Sequence, residues 1–322
     1  MAIRTLQILA LLLTLLFLGG CAGVQQSIHD AAISYETSAA GLEPQTLDFD
    51  YGQIQILRTP ELARDRPTLV LVHGFGANKE NWLKLGQELE GEYNLVAPDL
   101  PGHGDSVQKP DLSYRIRDQA QRVMQLMARL GIDNAHLAGN SMGGAIVAVA
   151  AAEYPGRVTS LTLLNSAGIH AHPSKLDKQL ARGKNPLILD DPSDYDDLVA
   201  FAMNEPPFVP WPISSVMARE AYDNRDINRK IFRDMEAGRE QDFRSTLTRI
   251  QAPTLVLWGS DDRIIDAANA PLVAKAIADS RLEIIDGIAH LPMIEAPAKT
   301  AELMRALISK ASEPPVQQAE AN

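Results

Sequence analysis

The segment Gly139-Asn140-Ser141-Met142-Gly143-Gly144 constrains this chain more than any other. It follows directly on an apolar run, 135–138, and opens a helical stretch that extends to Tyr154. On such a strand-to-helix corner, G-x-S-x-G uses its glycines for the tight turn and for close packing around it. The turn pushes the serine hydroxyl out at the top of a sheet, next to a helix N-terminus. Ser141 is therefore the first candidate nucleophile. The pentapeptide alone also occurs by chance, so its weight comes from the strand before it and the helix after it.

The flanking sequence repeats that strand–helix rhythm. Apolar, β-branched runs at 46–49, 53–57, 68–72, 93–97, 135–138, 160–164, 254–258 and 282–285 predict eight strands. Asp50-Tyr51-Gly52 marks a turn that makes the first two an antiparallel hairpin. From Thr68 onward strands alternate with helical stretches at 80–89, 114–130, 142–154, 268–278 and 299–308. Such alternation predicts an α/β fold, a mostly parallel eight-stranded sheet with helices on both faces. The rhythm breaks once, between Leu164 and Thr254. That stretch is helical and includes Pro206-Pro207-Phe208-Val209-Pro210-Trp211-Pro212. We read 169–251 as a helical cap over the strand ends, inserted between core segments 46–168 and 252–311.

The N-terminus reads as an address. Arg4 is the only charged side chain among residues 1–20, and Leu6–Leu18 is almost continuously aliphatic. A basic start, an apolar centre and a small-residue exit make a secretory signal. The exit, Leu18-Gly19-Gly20-Cys21, resembles a bacterial lipobox, which implies lipidation of Cys21, the chain's single cysteine. The rival reading is an uncleaved anchor, because Thr5–Val24 has the roughly 20 residues that cross a bilayer. Both readings place the body on the periplasmic side of a bacterial membrane. Segment 21–45 links anchor to body through a short amphipathic helix carrying Ile28, Ala31, Ala32 and Tyr35 at helical spacing, ended by Gly41 and Pro44. The polar end, 312–322, reads as a disordered tail.

Composition removes several functions. Net charge is −11, from 30 basic against 41 acidic residues, which opposes nucleic-acid binding. One cysteine permits neither an intramolecular disulfide nor a cysteine-based zinc site. There is no H-E-x-x-H and no phosphate-loop Lys-Ser/Thr after a glycine cluster, so neither a metal nor a nucleotide cofactor is expected.

A serine nucleophile needs a base, and the base needs an orienting acid. His290 lies in Gly287-Ile288-Ala289-His290, just beyond the last predicted strand. Trp258-Gly259-Ser260-Asp261-Asp262 follows the strand before it and supplies two acids that residue type cannot separate. His73-Gly74-Phe75-Gly76 follows the strand 68–72, and its glycines let a backbone N–H point into the site. We assign the oxyanion hole to the N–H groups of Phe75 and Met142, and a loop-bracing role to His73. Asp99, His103 and Asp105 are read as loop residues without a catalytic part.

These motifs together resemble the α/β-hydrolase superfamily over about residues 46–310. The carriers are HGFGANKENW (73–82), PDLPGHGDS (98–106), GNSMGG (139–144), WGSDDRIID (258–266) and GIAHLPMIEAP (287–297). The resemblance implies a Ser–Asp–His order along the chain and makes the fifth residue of W-G-x-x-D, Asp262, the acid. HGFG, GNSMGG and a helical cap are most similar to bacterial family V lipases and to membrane-anchored phospholipases A of Gram-negative bacteria. The implied function is membrane-anchored hydrolysis of a small-molecule or lipid acyl ester through an acyl-enzyme on Ser141. Phe208, Trp211 and Met217 are candidates for an acyl-chain wall, with the cap's own core as the other reading. Serine-dependent carbon–carbon hydrolases, haloperoxidases and aminopeptidases of this fold are the alternative, and a non-catalytic anchored lipoprotein a more distant one.

Overall fold

A computed structural model describes residues 22–238 and 243–312. The strands run Glu43–Phe49 (β1), Gly52–Arg58 (β2), Thr68–Val72 (β3), Asn94–Pro98 (β4), Ala135–Asn140 (β5), Val158–Leu164 (β6), Thr254–Gly259 (β7) and Ser280–Ile285 (β8). They make one sheet in the order β1-β2-β4-β3-β5-β6-β7-β8. The β1–β2 hairpin closes where Phe49 pairs with Gly52, as the turn signal predicts. β2 also pairs antiparallel with β4, and all later pairs are parallel.

Successive residues of a strand face opposite sides of its sheet. In β3 this sends Val70 and Val72 into one core and Leu69 and Leu71 into the other. The first core is covered by the helices Ile116–Arg129, Met142–Glu153 and Ala270–Ala276, the second by Leu83–Leu89 and Pro297–Ser312. Burial on both faces explains why the central strands are unbroken apolar runs rather than alternating ones. It also explains the helix Met142–Glu153, buried from Met142 to Ala151, whose small side chains let it lie close to the sheet.

From β3 the chain passes to β4 on one side, and then returns to β5 on the other. The strand order reverses there, and in open α/β sheets the carboxyl ends at such a reversal are where sites form. Helices alone fill the described part of the stretch between β6 and β7: Lys175–Leu180, Tyr195–Ala202, Ile213–Asp223, Arg225–Ala237 and Phe243–Leu247.

Two expectations change in detail. The helix predicted over 80–89 begins as a 3-10 turn, Lys79–Trp82, because the Lys79 backbone N–H is held by Asp99 Oδ1 at 2.7 Å. The short linker helix extends over Ala22–Ala39, with Ile28, Ala31 and Tyr35 of its apolar stripe exposed and Ala32 half-buried. Its other side packs against the helices Leu83–Leu89 and Ile213–Asp223. There Glu36 accepts from Lys84 Nζ at 2.8 Å, and Gln25 accepts from Arg219 at 2.8 Å. Among the described residues no helix is long and apolar enough to cross a membrane. The predicted address segment, Cys21 included, and the polar tail beyond Ser312 lie outside the described residues.

Candidate active site

Ser141 occupies the corner after β5 with φ +55° and ψ −117°, a region that a non-glycine residue enters only under constraint. The constraint comes from β6 and its loop. The Ser141 N–H donates to Leu164 O at 3.0 Å, and its carbonyl accepts from Ala167 N at 2.9 Å and Ala145 N at 3.2 Å. The glycine at 143 is required by close approach, since a Cβ there would run into the Val72 and His73 carbonyl oxygens. That contact brings the end of β3 against the serine.

The acid and base arrive on the next two strand ends. His290 Nδ1 and Asp262 Oδ2 are 2.8 Å apart, and both residues are buried. Asp262 Oδ1 accepts the N–H groups of Ile264 and Ile265 at 2.8 and 3.0 Å. Asp261 instead is exposed and accepts from Asn204 Nδ2 at 2.7 Å, so of the two aspartates only Asp262 faces the histidine. Gly259 lets the two loops meet, because a Cβ there would strike the backbone oxygens of Ile288 and Ala289. The buried indole of Trp258 donates to Ile265 O at 3.0 Å and closes the acid's loop.

Two asparagines that sequence reasoning missed join these parts. Asn140, beside the serine, donates through Nδ2 to His290 O at 3.0 Å and to Leu164 O at 3.2 Å. Asn165, at the end of β6, donates through Nδ2 to Asp262 Oδ2 at 2.7 Å and to Ala289 O at 3.1 Å. The His290 backbone N–H donates to Ala202 O at 2.9 Å, which fastens the inserted helices to the histidine loop. The only signal for either asparagine in the sequence is its place at the carboxyl end of a strand.

Gly74 lies so close that a Cβ on it would be 3.2 Å from the Ser141 Cβ. Among the described residues, the N–H groups of Phe75 and Met142 have no acceptor within the protein. His73 is engaged at both ring nitrogens: Nε2 accepts from Leu100 N at 3.0 Å and Nδ1 donates to Gly74 O at 2.8 Å. Burial pushes its pKa down to about 4, so it is a neutral brace. Next to it, Asp99 is fully buried and bonded to Lys79 Nζ at 2.7 Å, and Lys79 reaches Asp105 at 2.8 Å. These contacts tie the HGFG loop to the PGHGDS loop, the structural part assigned to Asp99 and Asp105. Of the other histidines, His136 bonds Ser160 Oγ at 2.8 Å in the core, while His29 lies on the first helix. His170 and His172 precede the first inserted helix.

The acyl-wall candidates need correction. Phe208 is 91% and Trp211 61% exposed, so neither forms a wall or a cap core. Met217 is half-buried on the helix Ile213–Asp223. A cavity of about 290 Å³ lies elsewhere, along Ala145 and Val149 and against Ala167, Gly168, Met235 and Phe243. Ser141 and His290 do not line it, although Ala145 and Ala167 both bond the Ser141 carbonyl. Among the described residues no group of three or more His, Cys, Asp or Glu is placed to hold a metal ion.

A sheet of this order, with a strained serine after β5 and an Asp–His pair after β7 and β8, defines a hydrolase scaffold. Residues 67–297 match the family model described as the alpha/beta hydrolase fold, and the chain belongs to that family. By its relatives it is an ester-hydrolysing enzyme. It is 33% identical to Lipase 3 of Moraxella sp. (strain TA144), over 84% of this chain and 85% of the relative. To Lipase 1 of Psychrobacter immobilis it is also 33% identical, over 86% and 87%. Among solved structures it is similar to a membrane phospholipase A described as a bacterial virulence factor. The TM-score is 0.88 and the identity 35%, over 97% of this chain and 99% of that one.

Proposed function

We propose that this protein is a membrane-tethered serine hydrolase that cleaves acyl esters of lipids without a cofactor. Ser141 Oγ attacks the ester carbonyl carbon, and His290 Nε2 takes its proton. Asp262 holds the Nδ1 proton of His290 and stabilises the imidazolium that forms. The Phe75 and Met142 N–H groups meet the oxyanion, each worth about 3 kcal/mol in sites of this kind. His290 then protonates the leaving alcohol, and water repeats the sequence on the acyl-enzyme. The observation that carries this reading is the buried 2.8 Å His290–Asp262 bond, linked through Asn140 to the corner that holds Ser141.

Lipase relatives and the phospholipase A likeness favour a lipid ester over a soluble one. The apolar segment 6–18 holds the body at a bacterial membrane, facing the periplasm, either through a lipid on Cys21 or as a span. Expected hydrolysis runs across p-nitrophenyl esters of increasing length, a phospholipid and its lyso form. Ser141→Ala is expected to abolish it while leaving the fold intact. Activity retained within a few-fold would refute the assignment of Ser141. Serine-dependent cleavage of a carbon–carbon substrate with no ester turnover would place the chemistry in the alternative class.

A further inference from the structure

Four large apolar side chains, Ile28, Tyr35, Phe208 and Trp211, are exposed on the first helix and on the segment that leads into the helix packed against it. The first helix turns Ile28, Ala31 and Tyr35 outward, with Tyr35 73% exposed. Its inner side meets the helix Ile213–Asp223 through Gln25–Arg219 and Gln26–Glu220, at 2.8 and 3.2 Å. Residues 206–212, Pro-Pro-Phe-Val-Pro-Trp-Pro, run directly into that second helix and carry the most exposed large apolar side chain of the described residues, Phe208 at 91%. At its other end this strap is fastened beside the site. Asn204 N donates to Glu295 Oε2 at 2.7 Å, Asn204 Nδ2 to Gly287 O at 2.9 Å, and Ala202 O accepts from His290 N at 2.9 Å.

Exposed Phe and Trp are expensive in water, and four prolines cut the conformational entropy of holding them there. Tryptophan and tyrosine favour the polar–apolar boundary of a bilayer. The chain supplies the occupant. The first described helix begins at Ala22, directly after the apolar segment 6–18 and Cys21. Whatever membrane holds that segment meets the body at this end of the helix.

From this we propose that the strap 206–212 is a membrane-docking wedge. Phe208 and Trp211 enter the bilayer interface and bring lipid to the side of the body where Ala202 and Asn204 hold the histidine loop. The proposal rests on the membrane-tethered lipid-ester reading above, and its test separates the two.

Trp82 and Trp258 are fully buried and Trp211 is the third and last tryptophan, so Trp211 is a built-in reporter. The full chain is reconstituted into phosphatidylethanolamine–phosphatidylglycerol vesicles whose acyl chains carry bromine near the headgroup. Trp211 emission is expected to shift blue and to be quenched, and Trp211→Phe removes that quenching. Phe208→Ser/Trp211→Ser is expected to lower turnover of vesicle phospholipid about tenfold and to leave a short soluble ester within twofold. Trp211→Phe, still apolar, is expected to keep most vesicle activity. Unquenched Trp211 in an enzyme active on soluble ester overturns the wedge and leaves the hydrolase reading standing. An equal loss on both substrates also overturns it, by placing these residues in the ester site. Loss of all ester turnover with Trp211 still quenched strikes the hydrolase reading alone.

Discussion

Asn165 Nδ2 donates to Asp262 Oδ2 at 2.7 Å and to the Ala289 carbonyl oxygen at 3.1 Å. One amide thus joins the end of β6 to the acid and to the residue preceding His290. It does so from φ +47°, a left-handed conformation that asparagine tolerates better than most residues. Asn165→Ala removes both bonds and places a less tolerant residue in that conformation. Turnover of a p-nitrophenyl ester is expected to fall about 10- to 100-fold with KM within twofold, because misplacement of a catalytic pair acts on the transition state. An unchanged kcat would show that Asp262 is held well enough by Ile264 and Ile265.

Gly259 is a packing constraint of the site and not merely a turn residue. Its missing Cβ makes room for the Ile288 and Ala289 backbone oxygens, which cannot swing aside as a side chain can. Gly259→Ala is expected to cost about 1–3 kcal/mol through overpacking. It should also pull the histidine loop from the acid's loop. Calorimetry would show a lowered Tm, and ester assays a loss of kcat larger than the loss of folded protein explains.

Burial of neutral histidines makes stability depend on pH. Burial pushes His73 to about 4, His103 to about 3 and His136 to about 4, from an ordinary value near 6.5. Below that value the unfolded chain takes up protons that the folded chain refuses, so stability is complete above about pH 6.5 and falls as pH drops toward 4. Each histidine contributes a slope of up to about 1.4 kcal/mol per pH unit. Urea midpoints at pH 7 and pH 4.5 are expected to differ accordingly. His136→Gln, remote from the serine, is expected to reduce the slope. An identical slope in that variant would remove His136 from the account.

Lys79 is 5% exposed and Asp99 fully buried, and their ammonium and carboxylate groups lie 2.7 Å apart. Removing one partner leaves the other charge uncompensated, which costs about 3–5 kcal/mol in buried pairs. Lys79→Met is expected to lower the unfolding free energy by that amount, seen as a lower urea midpoint with an unchanged slope, and to loosen the HGFG loop, reducing kcat. Lys79→Met/Asp99→Leu is expected to recover part of the stability, because the fully buried Asp99 carboxylate is gone and only the more exposed Glu80 and Asp105 still lose Lys79. A double variant no more stable than the single one would place the cost in packing instead.

The outline of the fold and the chemistry-bearing residues were legible in the sequence because each has a local cause. Continuous apolar runs such as Thr68–Val72 and Thr254–Gly259 follow from burial on both faces of a parallel sheet. The Gly139–Gly143 frame marks its own corner, since no bulkier residue at 143 fits beneath the Val72 carbonyl. The linker helix is legible as an element, and the structure leaves Ile28, Ala31 and Tyr35 of its stripe exposed. Its apolar stripe is real, but periodicity only shows that a face exists and leaves open what that face meets. The strap aromatics were misplaced for the same reason: Phe208 and Trp211 are apolar in the sequence and exposed in the fold.

Contacts between segments distant along the chain have no such local cause. Asp261 and Asp262 are adjacent and alike in the sequence; their separation into a partner of Asn204 and a partner of His290 follows from how the β7 and β8 loops pack. Asn140 reaches a carbonyl 150 residues away, and Asn165 reaches one 124 residues away. No local pattern encodes such bonds. They exist because the parallel sheet sets the carboxyl ends of β5, β6, β7 and β8 side by side, within reach of a single amide.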